Sequence, residues 1–327
     1  MLCFFEQSQC TAGVLFFCIS ESPYAALQRK SPGLMTAETA EDAGICTGLR
    51  MFRHPPGWKG RVKMILKEPM AFGSDGAVRM LHIWLPEDYH RSGERYPVMY
   101  FFDGHNLYLD SDATFGKSWG MAEFLSGWDK PIIMVGMECA HEGNDRLSEY
   151  SPFPVRWGSG QIAPRGEETF RWILEKVKPA VDASFRTIPF RECTAIGGSS
   201  MGGLMAVYGV THYNRWFSKA ACVSSAIGMC APPLYRDIDR CSIDADTRVF
   251  LSWGTREARG VKDEHAVDRS SATYRNNRAV ANKLNRSGAC VRLLCQVEGG
   301  HCEADWEKQI PLFMPFLWQN RDEGLME

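Results

Sequence analysis

Cys193-Thr194-Ala195-Ile196-Gly197-Gly198-Ser199-Ser200-Met201-Gly202-Gly203-Leu204 is the stretch on which the fold turns. Its first four residues read as a short strand, Leu204 to Tyr208 read as helix, and between them lies a turn of small residues around Gly198-Ser199-Ser200-Met201-Gly202. A Gly-x-Ser-x-Gly pentapeptide recurs by chance in roughly one chain in ten of this length, so its setting carries the reading. A strand that turns sharply into a helix presents the central serine at its apex. A side chain at Gly198 or Gly202 would collide with neighbouring backbone there, and the following helix points its N–H groups and positive dipole end at any oxyanion forming beside it. Ser200 is the candidate nucleophile.

Outward from this turn, the chain alternates strands with helices. Val98–Phe102, Ile132–Met137, Ala220–Val223 and Val249–Trp253 are near-continuous apolar runs, as in strands buried on both faces. Met80–Leu85 reads as an early strand and Val291–Val297 as the last one. Glu167–Phe185 carries Phe170, Ile173, Leu174, Val177 and Val181 at helical spacing, with Pro179 expected to bend or subdivide it. Tyr274–Leu284 and Asp305–Leu317 read as further helices. This pattern predicts one α/β domain over residues 56–320, with a mostly parallel central sheet covered by helices on both faces. Residues 321–327 form a tail. Residues 1–55, polar from Ser20 to Gly44 and without a sustained period, read as a poorly ordered extension or as a start placed too early, with Met35 and Met51 as later starts.

Composition narrows the function classes. The 327 residues carry 37 Lys+Arg against 39 Asp+Glu, a net charge of −2, which argues against a polyanion partner such as nucleic acid. No apolar run approaches the ~20 residues that span a bilayer. The short run Gly13–Ile19 follows Glu6 and lacks the basic segment of a secretory signal. Twelve cysteines are scattered without a Cys-x-x-Cys pair or a Cys/His cluster at zinc-ligand spacing, so no metal and no cofactor are expected. They read as buried apolar side chains or free thiols, which fit a cytoplasmic location better than export.

A nucleophilic serine needs a base, and the base an orienting carboxylate. Of the eight histidines, only His301 follows the last expected strand, in Glu298-Gly299-Gly300-His301-Cys302-Glu303. The order serine, acid, histidine then places the acid beyond Val249–Trp253. Glu257 in Gly254-Thr255-Arg256-Glu257 is the first candidate; Asp263, Glu264 and Asp268 lie farther along the same loop, and a Ser-His dyad is the remaining option. An oxyanion hole needs two preorganised donors. The backbone N–H of Met201 is one, and the N–H of His105, in Phe102-Asp103-Gly104-His105-Asn106, is the other.

Together these residues resemble the Putative esterase family of α/β-hydrolases, which includes feruloyl and acetylxylan esterases, enterochelin-type esterases, S-formylglutathione hydrolase and the antigen 85 mycolyltransferases. The resemblance spans about Val78 to Trp318. It rests on Tyr100 to Leu107 with Trp119, on Arg146-Leu147-Ser148-Glu149-Tyr150-Ser151-Pro152, on Ala195 to Leu204, on Gly254 to Glu257, and on Gly299 to Glu303 with Trp306. It implies the α/β-hydrolase fold and a serine esterase acting on a small-molecule ester, with Ser200 as nucleophile, His301 as base, Glu257 as acid and the N–H groups of Met201 and His105 as oxyanion donors. Acyl transfer to an alcohol, as in the antigen 85 relatives, and a catalytically silent binding scaffold are the rival readings. Two departures stand out: Glu257 replaces the commoner Asp, and Cys302 stands where Asn is frequent. Asn106, Trp119 and Tyr150, with Phe153 and Trp157, are the expected pocket residues, suited to an aromatic acyl group or a sugar.

Overall fold

Alternation along Val98–Phe102 shows how the sheet is covered. Val98, Tyr100 and Phe102 belong to one buried cluster, together with Phe170, Ile173, Val177 and Val181 of the following amphipathic segment. Met99 and Phe101 point the other way, into a second cluster with Met121, Leu125, Phe250, Phe313 and Leu317. Each fully buried side chain of this size contributes about 1.5–3 kcal/mol of transfer free energy, so both faces of the strand are committed to helices.

The computed structural model describes residues 64–73, 76–257 and 263–318. The N-terminal extension, its alternative starts and the C-terminal tail expected from sequence lie outside them. The strands are β1 (Met64–Phe72), β2 (Ala77–Leu85), β3 (Val98–Phe102), β4 (Ile133–Met137), β5 (Val155–Trp157), β6 (Gly160–Ile162), β7 (Thr194–Ser199), β8 (Lys219–Val223), β9 (Arg248–Gly254) and β10 (Cys290–Gln296). Eight of them form one sheet in the order β1-β2-β4-β3-β7-β8-β9-β10, while β5 and β6 make a separate antiparallel hairpin. β1 pairs antiparallel with β2, and β2 with β4; every other pairing in the large sheet is parallel. The sheet is therefore mostly parallel, with helices on both faces. The carboxyl ends of β3, β7, β8, β9 and β10 all open on one edge, where ligands bind in open α/β sheets.

Three local features refine the expectations. β1 contains Pro69 within Leu66-Lys67-Glu68-Pro69, which interrupts any alternation; proline is tolerated because β1 is the edge strand. The Glu167–Phe185 segment is two helices, Gly166–Trp172 and Lys178–Ser184, joined by a π turn at Ile173–Val177. Pro179 sits in the first turn of the second helix, directly after this π turn. The expected last helix is likewise divided into Glu303–Glu307 and Ile310–Trp318, with Pro311 near the start of the second. The eight cysteines among the described residues are free thiols, with Cys139, Cys222 and Cys230 buried. Among the described residues, no helix is long and apolar enough to cross a membrane.

One backbone contact fixes the loop after β3. Gly104 lies directly against Gly136 of β4, so that a Cβ on Gly136 would fall 2.7 Å from Gly104 Cα and 2.8 Å from Leu107 Cδ1. Gly136→Ala is expected to destabilise the protein by about 1–3 kcal/mol through overpacking, seen as a lower urea midpoint with an unchanged m-value. An unaltered midpoint would mean that the loop after β3 does not need this contact with β4.

Candidate active site

Ser200 follows β7 and precedes the helix Met201–His212, with φ 56° and ψ −119°. A non-glycine residue in such a conformation costs about 1–3 kcal/mol and persists only when its surroundings over-determine it. Here the Ser200 N–H donates to the Val223 carbonyl at 3.1 Å, and the Ser200 carbonyl accepts from Ala226 at 2.9 Å and Leu204 at 3.0 Å. The flanking glycines are required by contact: a Cβ on Gly198 would lie 2.6 Å from the Gly202 carbonyl carbon, and one on Gly202 would lie 2.8 Å from Phe102 Cβ. That second contact also sets the first turn of the helix beside the loop after β3. As the first residue of the helix, Met201 has an N–H without an intrahelical partner.

The loop after β3 begins with Asp103 in the left-handed region (φ 58°) and continues as a single helical turn, Gly104–Asn106. Asn106 is the first residue of this turn whose N–H is bonded within it, to the Asp103 carbonyl at 2.9 Å; the N–H groups of Gly104 and His105 precede it. Asp103 is anchored from two sides. Its N–H donates to the Tyr150 hydroxyl at 3.1 Å, and its carboxylate receives Nε and Nη2 of Arg146, both at 2.7 Å. Burial alone would raise the Asp103 carboxyl, but the bidentate Arg146 guanidinium holds it below the ordinary range.

His301 and Glu257 meet. His301 Nδ1 lies 3.0 Å from Glu257 Oε2, on a carboxylate only 9% exposed. The other oxygen, Oε1, accepts from the Gly254 N–H at 2.7 Å and from the Ser224 hydroxyl at 2.7 Å. Ser224, itself at φ 45°, accepts in turn from Trp306 Nε1 at 2.9 Å, and the Trp306 ring packs edge-on against His301 with centroids 5.0 Å apart. With Nδ1–H directed at the carboxylate, the His301 lone pair falls on Nε2. The two loops are locked by backbone: Gly254 lies against the Gly299 carbonyl, which also accepts the Arg256 N–H at 3.0 Å. Asp263 and Asp268 instead bond locally at exposed positions, to the N–H groups of His265 and Ser270, and Glu264 pairs with Arg256. Glu257 is thus the acid of this loop that the fold brings to His301.

Three of the expected pocket residues, Trp119, Tyr150 and Asn106, are buried. Trp119 is 1% exposed and packs against Phe101, Trp306 and Phe313. Tyr150 is equally buried behind Asp103, edge-on to Phe102. The Asn106 carboxamide accepts the Thr114 N–H at 2.9 Å and so braces its own loop. Large aromatic rings gain more from full burial than from a solvent-facing wall, and nothing in a loop sequence separates the two uses. His105 is buried as well; its Nε2 meets Thr114 Oγ1 at 2.9 Å, and burial pushes its pKa down to about 4. Cys302 is half-buried beside Asp305, and burial raises its thiol above the usual cysteine range.

Sequence reasoning missed Ser224, whose only signal is its position at the end of β8, and the supporting roles of Arg146 and Trp306. Ser224→Ala should cost about 1–3 kcal/mol, because it strips Trp306 Nε1 of its buried acceptor and Glu257 of a donor; equilibrium denaturation measures this. Breaking a fully buried ion pair costs roughly 3–5 kcal/mol, and the partial exposure of Arg146 lowers the expectation for Arg146→Met to about 2 kcal/mol at neutral pH. The wild-type pair contributes fully above the ordinary carboxyl value of 3.8 and is lost as pH falls through the lower folded value. In the variant, the same buried carboxyl has no cation. The stability difference should therefore be largest above about pH 5 and shrink below about pH 4; a difference independent of pH would contradict the assignment.

Comparison with known proteins agrees with this architecture. The family model described as Putative esterase matches residues 76–317. Two Mycobacterium tuberculosis proteins, Esterase MT1326 and Esterase Rv1288, are 33% identical over 141 residues, 43% of this chain. The chain spans about a quarter of the length of these curated relatives, 28%. An IroE-like serine hydrolase from Shewanella oneidensis superposes with a TM-score of 0.61 at 19% identity, covering 77% of this chain and 80% of that one. Enterochelin esterase from Shigella flexneri does so with a TM-score of 0.58 at 17% identity, covering 78% of this chain and 58% of that one. Those two likenesses are of fold, whereas the family match runs from β2 into the last helix and encloses Ser200, Glu257 and His301, so that the chain belongs to the Putative esterase family.

Proposed function

We propose that the protein is a serine carboxylic-ester hydrolase. The observation that carries this reading is the strained Ser200 turn on the same sheet edge as a histidine whose Nδ1 is held by a buried carboxylate. Ser200 Oγ attacks the ester carbonyl carbon while His301 Nε2 takes its proton. The N–H groups of Met201 and His105 stabilise the oxyanion, each worth about 2.7–4 kcal/mol in the transition state. The intermediate collapses as His301 returns the proton to the leaving alcohol. Water, deprotonated by the same imidazole, then releases the acid from the acyl-enzyme. Glu257 holds the productive tautomer and stabilises the imidazolium.

The substrate is a small-molecule ester. The burial of Trp119 and Tyr150 removes two of the rings that favoured an aromatic or carbohydrate-linked ester, and Phe153 packs on Tyr208 at 5.8 Å, which leaves Trp157 on the β5–β6 hairpin. A panel of acyl chain lengths with a feruloyl ester and an acetylated sugar separates these classes. Ser200→Ala and His301→Ala are each expected to lower kcat on a short nitrophenyl ester by at least ~10³-fold, and Glu257→Gln by roughly 10³–10⁴-fold, with KM little changed. A fluorophosphonate probe should label wild type and not Ser200→Ala. Hydrolysis unchanged in Ser200→Ala would exclude the mechanism.

A further inference from the structure

Behind the Gly104–Asn106 turn lies a second group of chemically capable side chains that the ester chemistry does not use. His105, Glu138 and His141 each offer one ligand atom, and these atoms all lie within 4.8 Å of one another. We propose that they form a binding site for one divalent transition-metal ion of the zinc type. Two imidazoles and a carboxylate are the donor set that borderline metals of this kind prefer. Ligand atoms around such an ion, at about 2.0–2.1 Å from it, stand about 3.3 Å apart. Ligand atoms separated by up to 4.8 Å would therefore have to draw together by at most about 1.5 Å to close around the ion.

The buried histidine points to a ligand independently of the cluster. His105 is 7% exposed, and its Nδ1 has no hydrogen-bond partner. Its Nε2 meets Thr114 Oγ1 at 2.9 Å, so an Nε2–H donated to Thr114 leaves the lone pair on the unpartnered Nδ1. Glu138 is supported in the same way. Its Oε1 lies 2.7 Å from Nε2 of the buried His82, while Oε2 faces His141 Nε2 at 3.4 Å. An outer group that orients a ligating carboxylate is the usual companion of a metal site. The His141 side chain is 52% exposed and packs edge-on to the His105 ring at 4.8 Å, so that the cluster is reached from solvent on the His141 side. The three ligands come from two loops, after β3 and after β4, so a bound ion would tie together the segments already in contact at Gly104 and Gly136.

Calorimetric titration of the untagged, chelator-treated full chain with Zn²⁺, and with Co²⁺ followed by its visible absorption, tests the site. The expected result is one saturable equivalent, a higher Tm with metal, and at least a tenfold weaker Kd in His141→Ala and in Glu138→Gln. His141 is exposed, so its variant serves where Glu138→Gln compromises folding. His212, Asp237 and Cys241 form another possible ligand group, and His212→Ala should leave the Kd unchanged. The proposal is overturned by no saturable binding, by equal affinity in His141→Ala, by loss of binding in His212→Ala, or by thiolate-to-cobalt charge-transfer bands that assign the ion to cysteine. None of these readouts requires ester hydrolysis.

Discussion

Everything at the active edge depends on how the backbone of Ser200 is held. A residue at φ 56° and ψ −119° would relax if it were free to do so. Its N–H is taken by the last residue of β8 and its carbonyl by Ala226 beyond β8 and Leu204 of the following helix, and the glycines on either side admit the close packing that leaves no alternative. The conformational cost is local, whereas the constraint is distributed over β3, β7, β8 and the first turn of the following helix. Removing any one of these supports releases strain at the side chain that must be aimed most accurately.

Around that turn the charges are arranged in two layers. Asp103 is neutralised by Arg146 and anchored by Tyr150, which holds a carboxylate in the loop after β3 without leaving it unpaired. Glu257 receives Gly254, Ser224 and His301, so three donors converge on its two oxygens. A buried carboxylate satisfied in this way is held in one position. The longer Glu side chain in place of Asp is accommodated because the Gly254–Glu257 segment is itself a single helical turn that brings the carboxylate back over its own first N–H.

Most of the sheet and the outline of the site were legible in the sequence because both depend on short-range chemistry. Continuous apolar runs gave β3, β4, β8 and β9, and Gly-x-Ser-x-Gly after a strand gave the turn. The edge strand β1 was hidden by Pro69 and two adjacent charges; the subdivision near Pro179 was expected, whereas the break between Glu303–Glu307 and Ile310–Trp318 was not. Side-chain direction was the larger gap. Trp119 and Tyr150 carry the composition of a pocket wall, and only their place in the packed structure assigns them to the core. Ser224 was invisible for a related reason: its role comes from a hydrogen bond to Trp306, 82 positions away.

That same hydrogen bond gives the chain's order of synthesis a functional meaning. In the proposed mechanism the nucleophile and both oxyanion donors are encoded by residue 201, whereas His301 and the Trp306 indole that donates to Ser224 follow β10. A product cut short before this segment would display the reactive turn but lack a proton acceptor, and the acid would have lost its distant brace. Under the proposed mechanism the segment after β10 completes the site, because it supplies the histidine and the indole together.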